Sequence, residues 1–246
     1  MSWLGGLQAG VACLAFAFAG ATGACAGGAT AAATSAPPAQ GAQAVKPVPT
    51  PHLIVKPSDK RSDSVIFVWH GRVQAPMADE IAKAFEQHRG HTRRILFKLD
   101  SGGGSVAEGE KVIAVLRKMK QTHQLDTFVG AGWRCGSMCV PIYVQGSNRH
   151  AAPASLWLFH EVSFKDPVTH KVTRLDRGIM ERLVGDYFVP AGVSQTWIAD
   201  MMQHTSGTDY WRTGEDLIRD KSGIVQKALS DEEKRIVSPN PKVVSR

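Results

Sequence analysis

The chain has 246 residues, of which 29 are Lys or Arg and 22 are Asp or Glu, so its formal net charge is +7. All of these charged residues lie at or after Lys46, where their density is typical of a soluble globular domain. This distribution excludes a fully disordered chain, a polytopic membrane protein and a collagen-like fibre. The 4 cysteines are too few for a fold of this size built on disulfides.

Residues 1–26 are predicted to be a signal peptide or an N-terminal anchor. An apolar run over residues 11–19 is followed by small residues, and Ala24-Cys25-Ala26 fits the small-x-small pattern that signal peptidase cleaves. No basic residue precedes the run, which leaves an uncleaved anchor open. Lipidation at Cys25 is disfavoured because no large aliphatic residue stands three positions before it. We therefore expect a periplasmic or secreted protein.

Residues 27–62, rich in Ala, Gly, Thr and Pro, are predicted to form a flexible linker, with folding beginning near Ser64. Residues 63–230 would then form one domain, and the charged residues 231–246 a solvated tail. Short runs rich in β-branched and aromatic residues predict strands at 65–69, 95–99, 127–131, 154–159 and 224–225. Helices are predicted to begin at Pro76, at a capping box of Ser105 and Glu108, and after Thr213. Further helices are predicted up to Val144 and over 173–189 and 194–203.

Strands that alternate with helices predict an α/β domain with a mostly parallel sheet. Between the second strand and its following helix stands a glycine run, Ser101-Gly102-Gly103-Gly104-Ser105. Glycines there let backbone N–H groups come close to a ligand, although a plain strand-to-helix turn explains the run equally well. A phosphate loop is disfavoured because the GK[ST] ending is absent.

Three residues in the second half of the chain are candidates for catalysis. Ser137, in Gly136-Ser137-Met138, follows a predicted strand and precedes a helix, where it would present a nucleophile or merely cap the helix. His160 ends the strand pattern Leu156-Trp157-Leu158-Phe159, at the sheet edge where α/β proteins bind ligands. A structural role for that histidine is the alternative. Asp209 is uninformative by itself.

Taken in order, these motifs closely resemble the proteolytic subunit of the Clp protease and its relatives in the ClpP/crotonase superfamily. The resemblance covers about residues 65–225. Residues 101–106 resemble the family's SPGGxx loop with Gly102 in place of proline, and Gly136-Ser137-Met138 is similar to its ASM turn. Residues 146–149 resemble a G-x-x-x-R stretch, residues 158–160 match the catalytic-histidine strand, and residues 209–213 resemble Asp-Arg-Phe-Leu-Ser. The implied fold is a single ClpP-like domain with repeated ββα units and flanking helices.

The resemblance implies a secreted serine hydrolase that acts on a peptide or acyl substrate without a cofactor. Ser137 would be the nucleophile, His160 the base and Asp209 the group that orients the imidazole. The N–H groups of Gly104 and Met138 would form the oxyanion hole, and Gly102 and Gly103 would lie in the substrate-binding loop. A secreted chain would meet no ATP-driven unfoldase, the family's usual partner. Homo-oligomerisation stays open because residues 164–176 depart from the family's ring-forming segment.

Cys135 and Cys139 are absent from the ordinary family pattern and suggest its secreted, largely uncharacterised relatives. In an oxidising compartment they would form a disulfide that fixes the Ser137 turn; two buried thiols are the alternative. Two cysteines without clustered histidines disfavour a metal site. The scattered basic residues disfavour nucleic-acid binding. Because Glu161-Val162 replaces the family's glutamine-proline after His160 and the turn would be bridged, a catalytically silent binding or scaffold protein is the alternative function.

Overall fold

The computed structural model describes residues 51–58, 62–166, 168–169 and 171–229. The predicted signal peptide or anchor, residues 27–50 of the predicted linker and the tail of residues 231–246 lie outside the described residues. The linker prediction is wrong for its last part, because residues 52–57 form a strand that pairs with the first predicted strand. That segment, HLIVKP, mixes charged, apolar and proline residues, so its pattern alone did not indicate a strand.

The described residues contain a six-stranded sheet, a three-stranded sheet and a two-stranded hairpin. The strands are β1 (His52–Pro57), β2 (Ser64–His70), β3 (Arg94–Asp100), β4 (Gln124–Val129), β5 (Arg134–Gly136), β6 (Arg149–Ala151), β7 (Leu156–Phe159), β8 (Val162–Lys165), β9 (Val172–Asp176), β10 (Tyr210–Thr213) and β11 (Lys227–Ala228). The helices are α1 (Met77–His88), α2 (Val106–Met119), α3 (Cys139–Tyr143), α4 (Arg177–Leu183), α5 (Gln195–His204) and α6 (Gly214–Arg219). A π-helical segment, Val184–Phe188, follows α4 directly.

The main sheet has the order β1-β2-β3-β4-β6-β11, and only its β1–β2 pair is antiparallel. This confirms the predicted mixed α/β class with a mostly parallel sheet. In the smaller sheet, of order β10-β7-β5, β5 runs parallel to β7 and β10 runs antiparallel to it. The order places the ends of β5 and β7, which precede Ser137 and His160, side by side.

Alternating side chains of the main sheet build the core. Phe67, Phe97 and Leu99 are completely buried, and the apolar faces of α1 and α2 contribute Ile81 and Leu116 to the same cluster. Strands that are buried over most of their length consist of short β-branched and aromatic runs, and these runs predict β2 and β3 to within one residue at each end. Among the described residues, none of the helices combines the length and the apolar character that crossing a bilayer requires.

Three of the predicted elements begin three or more residues away from their predicted start. The strand predicted at 127–131 lies at Gln124–Val129. The helix predicted over residues 173–189 begins only at Arg177, because Val172–Asp176 pairs with Val162–Lys165 as a hairpin. The Asp176 side chain accepts a hydrogen bond from the Ile179 N–H and so starts the helix there. The final strand, predicted at residues 224–225, lies at Lys227–Ala228, where it extends the main sheet beside β6.

Candidate active site

The three residues predicted to be catalytic line one cavity of about 1000 Å³. Ser137 follows β5, His160 follows β7, and Asp209 precedes β10, so the three strands of the small sheet carry them to the same place. The loop Gly102-Gly103-Gly104 lines the same cavity. The fold thus brings Ser137, His160, 23 positions later, and Asp209, a further 49 positions on, to the same cavity as the glycine loop.

Ser137 occupies a sharp turn between β5 and α3. Its φ of 50° lies in the left-handed region, which a residue with a side chain rarely adopts. The turn is fixed on both sides, because the Ser137 N–H donates to the Leu158 carbonyl at 2.8 Å and the Gly136 N–H donates to the Ser101 carbonyl at 3.0 Å. The Ser137 side chain is half-buried and faces the cavity. A strained serine held between a strand and a helix is the arrangement of many hydrolytic nucleophiles.

The glycine loop lies directly against this turn. A Cβ atom on Gly103, whose φ is +92°, would lie 2.6 Å from the Gly136 carbonyl oxygen and 2.6 Å from the Ser137 Cβ. The same atom would lie 3.1 Å from the Met138 nitrogen. A Cβ atom on Gly102 would have no other atom within 4 Å. Only the absence of a side chain at Gly103 therefore allows the loop to approach the nucleophile.

The two N–H groups predicted to form an oxyanion hole have no hydrogen-bond partner in the described part of the chain. Val73 pairs with Gly104 as a parallel bridge, in which the Val73 N–H donates to the Gly103 carbonyl and the Ser105 N–H donates to the Val73 carbonyl. A parallel bridge of this kind leaves the Gly104 N–H directed away from Val73. The Met138 N–H stands at the start of α3, where helical N–H groups have no partner within the helix.

His160 is half-buried, and its Nδ1 atom is hydrogen-bonded to the Glu161 carbonyl oxygen. A carbonyl oxygen only accepts hydrogen bonds, so Nδ1 must carry the hydrogen. In the neutral ring Nε2 then has its lone pair free to accept a proton. The histidine is thus held as the tautomer that a general base requires.

Asp209 is exposed, in the segment that leads from α5 into β10. Within the described residues, no hydrogen bond joins His160 to Asp209 or to Ser137. The structure therefore places the three side chains around one cavity, but it holds the His160 ring through a backbone carbonyl and not through the aspartate.

Sequence reasoning missed Glu161, a buried carboxylate that also lines the cavity. Its Oε2 accepts a hydrogen bond from the Gly207 N–H at 3.3 Å, and its Oε1 lies 3.6 Å from the Arg177 guanidinium. Glu161 thereby ties the loop that carries Asp209 to the end of β7 and the start of α4. A glutamate next to a buried apolar strand was the available signal, because a buried carboxylate needs partners.

A narrow apolar recess of about 40 Å³ adjoins the cavity behind Ser137 and His160. Its walls come from α3, β7, α4 and the π-helical segment. They include the side chains Val140, Met180, Leu183 and Phe188. The recess suits a small apolar group bound next to the nucleophile.

The Cys135 and Cys139 sulfur atoms lie 2.07 Å apart, at the distance of a disulfide, and both residues are fully buried. Cys135 lies in β5, before the helix, and Cys139 is the first residue of α3, so the pair spans the Ser137 turn. In the described residues no group of three or more His, Cys, Asp or Glu side chains is arranged to hold a metal ion.

Comparison with known proteins gives one type of match. No family model and no curated protein matches the chain. Among solved structures 689 chains match, and one of them is a mutant of ClpP1 from Listeria monocytogenes. It is 14% identical, the match covers 70% of this chain and 94% of that chain, and the TM-score is 0.46.

Proposed function

We propose that this protein is a secreted, ClpP-like serine hydrolase that cleaves peptides. The observation that carries the proposal is the cavity shared by Ser137, His160 and Asp209, with the unpaired N–H groups of Gly104 and Met138 beside the serine turn. A nucleophile, a base of the correct tautomer and two free donors are the parts that acyl transfer needs.

In the proposed reaction, the Ser137 oxygen attacks the substrate carbonyl carbon while its proton passes to His160 Nε2. The Gly104 and Met138 N–H groups donate hydrogen bonds to the oxygen that becomes negative. His160 then gives its proton to the departing amine as the carbon–nitrogen bond breaks, which leaves an acyl group on Ser137. Water, deprotonated by the same histidine, releases this acyl group. Asp209 stabilises the imidazolium charge from across the cavity.

The cavity dimensions favour an extended substrate over a small one. A volume of about 1000 Å³ lies at the upper end of the usual range for small-molecule sites. The glycine loop pairs with Val73 and lines the cavity, and an extended peptide bound there would add to the loop as a strand. The apolar recess would then hold the substrate side chain next to the bond that is cleaved.

The wider setting follows from the sequence. We propose that residues 1–26 direct the chain to the periplasm or the exterior, and that the Cys135–Cys139 pair forms a disulfide there. In that compartment an ATP-driven unfoldase is not expected, and the enzyme works on peptides that are already accessible. It needs no cofactor, metal or nucleic acid, and a homo-oligomer is compatible with the proposal.

A fluorophosphonate probe tests the proposal, because it reacts only with an activated serine. We expect the full-length protein to be labelled, and Ser137→Ala to abolish labelling because it removes the attacking oxygen. His160→Gln should slow labelling by about 100-fold or more, the usual contribution of a general base. Ser163→Ala is the matched control, since Ser163 lines the same cavity and has no role in the mechanism. A folded wild-type protein that is never labelled would contradict the proposal.

One observation favours a second function, a catalytically silent binding protein. His160 donates to the Glu161 carbonyl, and neither Ser137 nor Asp209 is hydrogen-bonded to its ring in the described structure. A fold that keeps the cleft without the proton relay would bind peptides without cleaving them. Peptide binding by wild type and Ser137→Ala with equal affinity, together with an absence of probe labelling, would identify this function.

A further inference from the structure

A second cavity, of about 240 Å³, lies at the opposite end of α2 from the candidate active site. Val106, at the beginning of that helix, lines the first cavity, whereas Arg117 and Lys120, at its end, line the second. A helix of 14 residues is about 20 Å long, so the two cavities are separate sites. No carboxylate side chain among the described residues lines the second cavity.

Arg117 forms one wall of this cavity, and among the described residues its side chain contacts neutral groups. Its Nε donates to Gln145 Oε1 at 3.2 Å, and its Nη2 donates to the Asp186 backbone carbonyl at 3.2 Å. Its guanidinium lies 5.2 Å from the centre of the Tyr187 ring. These contacts fix the orientation of the guanidinium but leave its positive charge uncompensated.

Arg149 adds a second fixed charge behind the cavity. Its guanidinium is buried and donates to the backbone carbonyls of Ile224, Gly223 and Ala191 at 3.0, 2.8 and 3.0 Å. Ala191 itself lines the cavity, so the buried guanidinium lies directly behind the cavity wall. Carbonyl groups satisfy its hydrogen bonds, but they do not neutralise its charge.

Lys120 completes the group and forms no ion pair with any described residue. Partial burial of the amine and, secondly, the nearby charges of Arg149 and Arg117 lower the pKa of Lys120. The nearest acids, Glu110 and Asp186, pair with Arg182 at 2.6 and 3.4 Å. Two positively charged side chains therefore line the cavity, and the carboxylates of Glu110 and Asp186 are already paired with Arg182.

We infer that this second cavity binds the phosphate group of a small molecule. Two cations that line a pocket without a lining carboxylate, with Arg149 behind its wall, favour a compact dianion. Arginine and lysine are the usual phosphate ligands in proteins. A volume of about 240 Å³ holds a phosphate group and a small organic substituent. The Tyr187 side chain at the same wall offers a neutral hydroxyl for that substituent.

Calorimetric titration of the full-length protein with inorganic phosphate tests the inference, with ionic strength held constant by sodium chloride. We expect saturable binding of one phosphate per chain. Lys120→Gln and Arg117→Gln should each weaken it by about tenfold or more, since each removes one charged ligand. Lys118→Gln is the matched control, because Lys118 shares the last turn of α2 and its helix dipole but does not line the cavity. It should change the affinity less than about twofold.

Glycerol phosphate in a parallel titration distinguishes the free anion from a phosphomonoester. Tighter binding than inorganic phosphate would show that the site also contacts the organic part, and equal binding would show that it contacts the phosphate alone; either result supports the inference. Absence of saturation, or equal weakening in the Lys118→Gln control, would overturn it. Lys120 is exposed at the end of the helix, so Lys120→Gln keeps the test decisive if Arg117→Gln does not fold. The result is independent of the proposed hydrolase activity.

Discussion

Gly103 occupies the position on which the candidate oxyanion hole depends. Its φ of +92° and its contact with the Ser137 turn leave no room for a Cβ atom. A Cβ atom on Gly102, in contrast, would have no other atom within 4 Å. The two neighbouring glycines thus offer a comparison in which the same methyl group is added with and without a steric clash.

Gly103→Ala is expected to slow fluorophosphonate labelling of Ser137 by about 100-fold, the usual cost of losing one oxyanion donor. The added methyl group would push the loop away from Met138 and displace the Gly104 N–H. Gly102→Ala should label at nearly the wild-type rate. Labelling kinetics, with circular dichroism to show that both variants fold, provide the measurement. Equal rates for the two variants would mean that the loop does not take part.

Ser105 and Glu108 show what local sequence can and cannot predict. The Ser105 hydroxyl accepts a hydrogen bond from the Glu108 N–H at 3.2 Å, as a helix cap should. The predicted capping box is nevertheless wrong in its second half, because the Glu108 carboxylate accepts from the Ala78 N–H at 2.9 Å and the Ser105 N–H donates to Val73. Four-residue patterns specify the cap, whereas a partner 30 positions away depends on how α1 packs against α2.

At the scale of elements, the sequence predicts long, mostly buried strands better than short strands. β2 and β3 have seven residues each, and four of the seven are buried in each strand. The missed strands β5 and β6 have three residues each, too few for a period of two to be recognised. β9 was predicted as helix because its residues, VTRLD, run directly into the helical sequence of α4. Its strand pairing comes from β8, which a local pattern does not contain.

The position of Ser137 depends on two short elements, β5 and α3, that the Cys135–Cys139 pair joins. The proposed cleavage after residue 26 would leave Cys135 and Cys139 as the remaining cysteines. We predict that the protein cleaved there contains no free thiol when denatured without reductant, because these two residues form a disulfide. Two free thiols per chain would contradict the bridge.

Reduction of this bridge should also destabilise the protein by about 2 kcal/mol, the chain-entropy estimate for so short a loop. Probe labelling of Ser137 should slow with it, since the strained turn between β5 and α3 loses its covalent support. Urea unfolding and labelling with and without dithiothreitol measure the two effects. The double variant Cys135→Ala/Cys139→Ala should be insensitive to dithiothreitol; an equal response in that variant would show that the reductant acts elsewhere.

At the scale of the whole molecule, the buried charge of Lys98 links the stability of the main sheet to pH. Lys98 lies in the middle of the main sheet on β3, is only 5% exposed, and lies over the Phe128 ring at 5.7 Å. Burial and, secondly, the charge of Lys56 lower the pKa of Lys98 from 10.5 to about 8. Val68 and Phe128 are its direct neighbours on β2 and β4, so unfolding of the sheet is needed to bring the amine fully into water.

This lowered pKa predicts a pH-dependent stability of defined sign. Below pH 8 the amine is protonated in both states, and the full penalty of burying its charge is present. Between pH 8 and about 10.5 the unfolded chain still binds the proton that the folded chain has lost, so the stability contributed by this group rises with pH. Wild type should therefore gain stability relative to Lys98→Met across this window.

Urea unfolding of wild type and Lys98→Met at pH 7, 9 and 10.5 measures that gain, because groups common to both chains cancel in the difference. The stability of Lys98→Met relative to wild type should be greatest at pH 7 and should decline as pH rises. Lys118→Met, at an exposed lysine on α2, should keep a constant difference from wild type. A stability difference between Lys98→Met and wild type that does not change with pH would contradict the prediction. It would show that Lys98 keeps its ordinary pKa in the folded protein although its side chain is only 5% exposed.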